Sequence, residues 1–530
     1  MMDDLKDKSI HLTAQMISEE IRQMPMYRGF YNEVQKLVSS SCVSNSNFRP
    51  SLLNAMRQTG LEVELRNTVF HWLRAHPGPQ GRASSGAVIG SKEPILFLKK
   101  AQAQWEKRIQ KSLTSMCTEL NQVLSKCRAG SDKDEMTEKW TELSTYDIDL
   151  SQYRPVYAPK DFLDVLLWIR SPNHRSLDGE GSWDFSQIPL KVKTLSELKS
   201  LFQEIARGEP LLGVNPNMPA QNNLYQNLEA ERIALGEKVI AGNHAPVAQE
   251  FLKRGCPKCL RGKIWAQVLG SQVKEEHVEH FEELKLFVLQ YDMIVDKLLI
   301  KDVQLTASND DQYFVFEDVL YQIMLCFSRD TEVLKIFNNS SSTPVTGLLK
   351  GKNPSFENSI VFPPSGVIPF HGFSMYATPF CYMYDEPINL YFTFRAFYMR
   401  YWFRLHEVSS HEQGILSLCL LFERLLQRHE PTLWTHFKQI NIQPVKVVFK
   451  WLMRGFSGHL PPDQLLDLWD VVLGYDSLEI FPILAVAILS FRKENILDVD
   501  TLQNIEAVLA DLSSLSVVAL LQLSLMKDSI

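Results

Sequence analysis

A chain of 530 residues has room for roughly two to four domains. With 45% hydrophobic and 22% charged residues it reads as globular, which excludes a disordered or fibrous chain, and a core of this size needs neither disulfides nor a metal to fold. A net charge of −7 provides no basic field for nucleic acid, and eight cysteines in so long a chain fit a reducing compartment rather than a disulfide scaffold.

Residues 1–12 lack a cationic stretch followed by an apolar run, so no signal peptide is expected and a cytoplasmic protein is the default. Ile17, Ile21 and Met24 recur at helical spacing. Residues 76–91 are rich in Gly, Pro and Ser and read as a linker. Trp105, Ile109, Leu113, Met116, Leu120, Val123 and Cys127 follow in steps of three and four, which predicts one long amphipathic helix packed on its neighbours. Residues 171–184 and 208–223 again read as linkers, and 338–359 is a polar insert between helical blocks. The apolar run 481–489 (FPILAVAIL) is too short to cross a bilayer and predicts a buried helix. The fold class is therefore all-α. A helical region spans 1–130, a loop-rich linker region 131–224, and a multi-helix domain with flanking helices 225–530.

Residues 254–265 read RGCPKCLRGKIW, and the CxxC pair invites a metal or redox reading. A structural zinc site needs a second ligand pair, and the next cysteine, Cys326, stands alone. His277 and His280 lie among glutamates on what reads as a solvated helix face. A thioredoxin-type pair needs a strand before it, and no strand pattern precedes this one. No metal site is expected. Gly255 and Pro257 instead signal a turn and helix start. Leu260, Ile264, Trp265 and Val268 then form one apolar face, and Gly270 can end the helix.

The spacing Arg254-Gly255-x-Pro257-x-x-Leu260-Arg261-Gly262-x-x-Trp265-x-x-Leu269-Gly270 resembles the opening motif of TBC domains, the all-helical modules that act on Rab-family small GTPases. Later blocks follow in the family's order. Leu299-x-x-Asp302 resembles the start of its I-x-x-D-x-x-R motif. Residues 316–330 resemble the helix that follows, and 371–401 the segment around its Y-x-Q-G-M motif, read through His371-Gly372. Residues 425–437 and 449–474 resemble its late helices, with Trp451, Phe456, Pro461 and Leu468-Trp469-Asp470. The likeness covers about 247–490. It implies a Rab-family GTPase as partner, a role in vesicle trafficking, and membrane contact only through that Rab. GTP and Mg²⁺ would belong to the Rab, so no cofactor is expected here.

In small GTPases an arginine supplied in trans stabilises the charge that builds on the phosphoryl group, worth about 10³–10⁵ in rate. TBC domains supply that arginine from I-x-x-D-x-x-R and a water-positioning glutamine from Y-x-Q. In this register the arginine position holds Leu305 and the glutamine position His371, with Pro369 at the tyrosine. A slipped register does not restore either residue. No arginine occurs between Arg261 and Arg329, and no glutamine between Gln322 and Gln413. Lys301 is the nearest cation, a point charge without the planar fork, and is read as facing away from Leu305. His371 can orient a water as neutral imidazole. Arg254, Arg261, Asp302 and His371 are the candidate partner-binding residues. Each also has a structural reading: a helix entrance for the arginines, a helix end or salt bridge for Asp302, a groove-lining position for His371. Trp265, Trp451 and Trp469 read as core aromatics. The first expectation is a Rab-binding regulator with weak or no catalytic acceleration. The alternatives are an active GAP that uses another mechanism, and a helical scaffold with no Rab dependence.

Overall fold

The computed structural model describes residues 14–39, 45–75, 93–146, 148–169, 185–214, 224–309, 313–340, 342–344, 346–350 and 357–525. The expected linkers 76–91 and 171–184 lie outside them, as do 215–223 and parts of the 338–359 insert. The described chain is overwhelmingly helical, as its periodicity predicts.

The first long helix, α1 (Glu93–Glu119), buries Trp105, Leu113 and Met116 along its apolar stripe. The stripe was expected to run on to Cys127, but the helix stops earlier. Asn121 turns left-handed (φ +50°), and the Gln122 N–H donates to the Cys117 carbonyl at 2.9 Å. This is a Schellman ending, which asparagine tolerates because its penalty for positive φ is small. Val123 is left exposed, and Ser125–Cys127 becomes a strand, β1, antiparallel to β2 (Tyr291–Met293). Two further short strands, β3 (Thr346–Lys350) and β4 (Glu357–Val361), complete a sheet ordered β2-β1-β3-β4.

The loop-rich region expected between 131 and 224 is not slack where it is described. Leu150, Tyr153, Val156, Tyr157, Phe162 and Leu198 belong to the same apolar cluster as the C-terminal half. Trp105 stacks on Phe162 (5.4 Å between centroids), and Tyr157 stacks on Phe370 (5.4 Å). The boundaries at 130 and 224 therefore mark no break in the core. Leu150, Tyr153, Val156 and Tyr157 are scattered among Pro, Ser and Asp and carry no period to betray their burial, whereas Phe162 and Leu198 lie on short helices, Pro159–Trp168 and Leu195–Leu201.

In the C-terminal half, helices α2 (Lys258–Leu269), α3 (Ile294–Asn309), α4 (Pro387–Arg400), α5 (Pro444–Met453), α6 (Pro462–Tyr475) and α7 (Ile480–Phe491) surround a dense aromatic core. Trp265, Trp451 and Trp469 are all buried, with Trp402 4.7 Å from Trp469. Aromatic pairs at such separations contribute beyond their area burial. The 481–489 run lies within α7 and is almost wholly buried. Among the described residues, no helix is long and apolar enough to cross a membrane.

Candidate functional site

Residues 254–265 form the helix entrance that their spacing predicts. Gly255 has φ +83°, and a Cβ there would lie 2.7 Å from that of Leu212. Pro257 caps α2, and Gly270 ends it in the left-handed region. Cys256 is buried and Cys259 exposed, so the two sulfurs do not face a common site. His277 and His280 have structural partners. The ring of His277 accepts from the Lys274 N–H (3.0 Å), and His280 contacts the Asp330 carboxylate at 3.3 Å.

The two segments read as finger positions meet across a groove. Leu298, Lys301, Asp302 and Leu305 of α3 form one wall, residues 369–371 a second, and Arg154 with Pro155 a third. The groove is shallow and narrow, with a cavity volume of about 10 Å³, room for roughly one water. Lys301 and Leu305 share this wall, contrary to the expected divergence: four residues apart is one helical face. The Lys301 ammonium is engaged, however. It donates to the Leu150 carbonyl (3.0 Å) and to that of Tyr153.

Asp302 organises the second wall. One carboxylate oxygen accepts from the Gly372 N–H (2.6 Å); the other accepts from the Ser374 N–H (2.8 Å) and hydroxyl (2.7 Å). Gly372 is left-handed (φ +88°), a conformation that strains any other residue, and a Cβ there would also displace the Arg454 guanidinium 2.2 Å away. The turn is pinned from both sides. The His371 N–H donates to the Tyr157 carbonyl (2.9 Å), and Arg454 donates to the His371 carbonyl (3.1 Å). The His371 ring is about two-fifths exposed, with Nδ1 3.9 Å from Asp302 and without a hydrogen-bond partner. Burial holds its imidazole below the usual histidine range. Asp302 opposes that shift, and Arg454 and Lys450 reinforce it.

The family Rab-GTPase-TBC domain matches residues 370–497, beginning at the groove's second wall. Over 523 residues the chain is 43% identical to TBC1 domain family member 19 of Homo sapiens, covering 98% of each. The chain belongs to the TBC domain family. It is also 24% identical over 232 residues to the TBC domain-containing protein kinase-like protein of Dictyostelium discoideum, covering 43% of this chain and 19% of that one. Two solved structures are similar. They are the Chlamydomonas flagellar RabGAP TBC domain (TM-score 0.42, 14% identity, 57% of this chain and 92% of that one) and the Ypt/Rab-GAP domain of Gyp1p (TM-score 0.38, 13% identity, 56% and 97%).

Of the four candidate partner-binding residues, the TBC fold turns two inward. Arg261 is 2% exposed. Its guanidinium donates to Asp470 (2.8 Å), Asp467 (2.6 Å) and the Cys256 carbonyl (3.3 Å), and so clamps α2 to α6. Asp302 is 6% exposed, with both oxygens engaged as described. Both side chains are turned into the core and engaged there, so neither is presented to a partner. Arg254 is exposed but lies outside the groove, with loose pairs to Glu204 and Glu209, both at 3.6 Å. Of the four, His371 alone is both exposed and in the groove. Sequence reasoning missed Arg154 as a groove residue. Arg154 sits in the presumed linker. Its one signal was the aromatic richness of SQYRPVYAP, unusual for a slack segment.

Proposed function

We propose that this TBC protein is a Rab-binding regulator that engages its GTPase without the dual-finger chemistry of its family. One observation carries the reading: Leu305 and His371 line a single groove, in the positions where the family resemblance puts the arginine and the glutamine. Leucine has no charge and no donor to offer a phosphoryl group. The nearest cation on that helix, Lys301, is held by two backbone carbonyls of the same chain. Binding would act by covering the GTPase surface and excluding other regulators. Such a protein would be cytoplasmic and reach membranes through its Rab.

The test is single-turnover GTP hydrolysis across a panel of Rab GTPases, with and without the protein. The expected result is binding with less than about tenfold acceleration, against the 10³–10⁵ that a trans-acting arginine provides. The double variant Leu305→Arg with His371→Gln should then raise hydrolysis on a Rab that the wild type binds. A larger acceleration by the wild type would overturn the reading. A second reading, in which His371 orients the attacking water, draws on its imidazole being held below the usual histidine range. Wild-type acceleration lost in His371→Ala would favour it.

A further inference from the structure

We propose that Arg154 is the groove's anion-binding residue, a cation brought to this site by the segment that precedes the family's domain. Its ligand is an acidic side chain on the bound GTPase. This deepens the Rab-binding reading and rests on it.

The structure places Arg154 at the groove with Leu305 and His371. Its side chain is 49% exposed, and its polar contacts are long: 3.4 Å to the Ser112 hydroxyl and 3.5 Å to Glu119, itself 57% exposed. A pair of that kind contributes little and is easily exchanged for another anion. The backbone beneath it is firmly held. Lys301 binds the carbonyls of Leu150 and Tyr153 on one side. On the other, the Val156 carbonyl accepts from Ser112 (3.1 Å) and the Tyr157 carbonyl accepts from His371. Tyr153 and Val156 are buried on either side of Arg154, and Pro155 biases it towards extended backbone. The result is a loosely paired guanidinium on a rigid base, a combination that lowers the ordering cost of binding.

The surroundings favour an anion. Arg454, which donates to the His371 carbonyl at 3.1 Å, places a positive charge behind that wall. The groove's own carboxylate, Asp302, is buried and accepts three hydrogen bonds. Arginine's planar fork matches phosphate and carboxylate alike.

The test measures affinity for a Rab panel loaded with GDP or a non-hydrolysable GTP analogue, using wild type, Arg154→Ala, Arg154→Lys and Glu119→Ala. Hydrogen bonds to charged groups of this strength correspond to a loss of about tenfold or more on truncation. We expect Arg154→Ala to weaken binding at least about fivefold, the lysine variant to recover part of it, and Glu119→Ala to leave it intact or tighter. Loss of similar size in both forms is expected of an acidic side chain; loss confined to the GTP-loaded form would mark contact with the γ-phosphate and overturn the assignment. A change under fivefold for Arg154→Ala overturns the assignment, as does an equal loss in Glu119→Ala, which would mark a structural pair. Thermal melts of each variant exclude misfolding. If the wild type binds no Rab in either state, the Rab-binding reading fails first and this inference with it.

Discussion

Two buried aspartates, Asp470 and Asp302, sit at corresponding tasks in this molecule and solve them differently. Asp470 is fully buried and is met by a charge. Arg261 reaches it at 2.8 Å, Trp265 Nε1 donates at 2.6 Å, and the Cys256 N–H donates at 3.2 Å. Asp302 has no cation in direct contact. Two backbone N–H groups and a serine hydroxyl satisfy it. The first arrangement joins two helices through a charged pair in the core. The second holds a turn at the groove with backbone and hydroxyl donors, on the helix that also carries Leu305. A carboxylate met by a cation ties two elements together; one met by backbone N–H groups fixes the local course of the chain.

The sharpest way to break that comparison is Arg261→Ala. Removing one partner of a buried, hydrogen-bonded pair typically costs about 3–5 kcal/mol, because the other charge is left uncompensated. Urea unfolding should show a large drop in midpoint with little change in slope. A loss under about 1 kcal/mol would mean that Asp470 is satisfied without its arginine. Asp302→Ala should cost less, about 1.5–3 kcal/mol, since it removes hydrogen bonds to a charged acceptor but leaves no unpaired opposite charge. Its effect should be local, read as faster hydrogen exchange at Gly372 and Ser374 and unchanged exchange at Cys256.

Acid offers a third, graded test. His406 packs 5.5 Å from Phe370 of the groove wall, and His459 lies near Arg454 and Lys450. Burial lowers both to about 3. The unfolded chain therefore binds protons below about pH 6.5 that the folded chain refuses. Their contribution is complete above the unfolded value and is lost as pH falls towards 3, at about 1.4 kcal/mol per unit for each histidine. Unfolding midpoints measured from pH 7 to pH 5 should fall accordingly. A midpoint flat across that range would show that neither ring is held neutral.

Much of the C-terminal half was legible. Gly255, Pro257 and Gly270 carry backbone instructions that depend only on local sterics, so the helix entrance and exit could be read directly. Leu305 and His371 were picked out from two separate motif blocks that follow the family's order, and both line one groove. Burial was harder. Whether Arg261 faced a partner or the core depended on Asp470, 209 residues away, and a single sequence does not pair them. The break after Leu120 was hidden for a different reason: Val123 and Cys127 fit the helical period although the chain has already turned at Asn121. Lys301 was misjudged against the simplest rule of helix geometry. Arg154 escaped notice because its segment owes its order to tertiary contacts rather than to any periodicity of its own.

The stacked rings of Tyr157 and Phe370 also bear on how such a protein can be shortened or exchanged. The family's stretch begins at Phe370, yet one face of that ring is covered by a residue more than two hundred positions earlier. Excision at 225 would leave that aromatic face and the neighbouring Phe449, 6.2 Å from Phe162, open to water. The stretch that the family model matches is smaller than the unit that shares one core, and the front half is part of that core's wall.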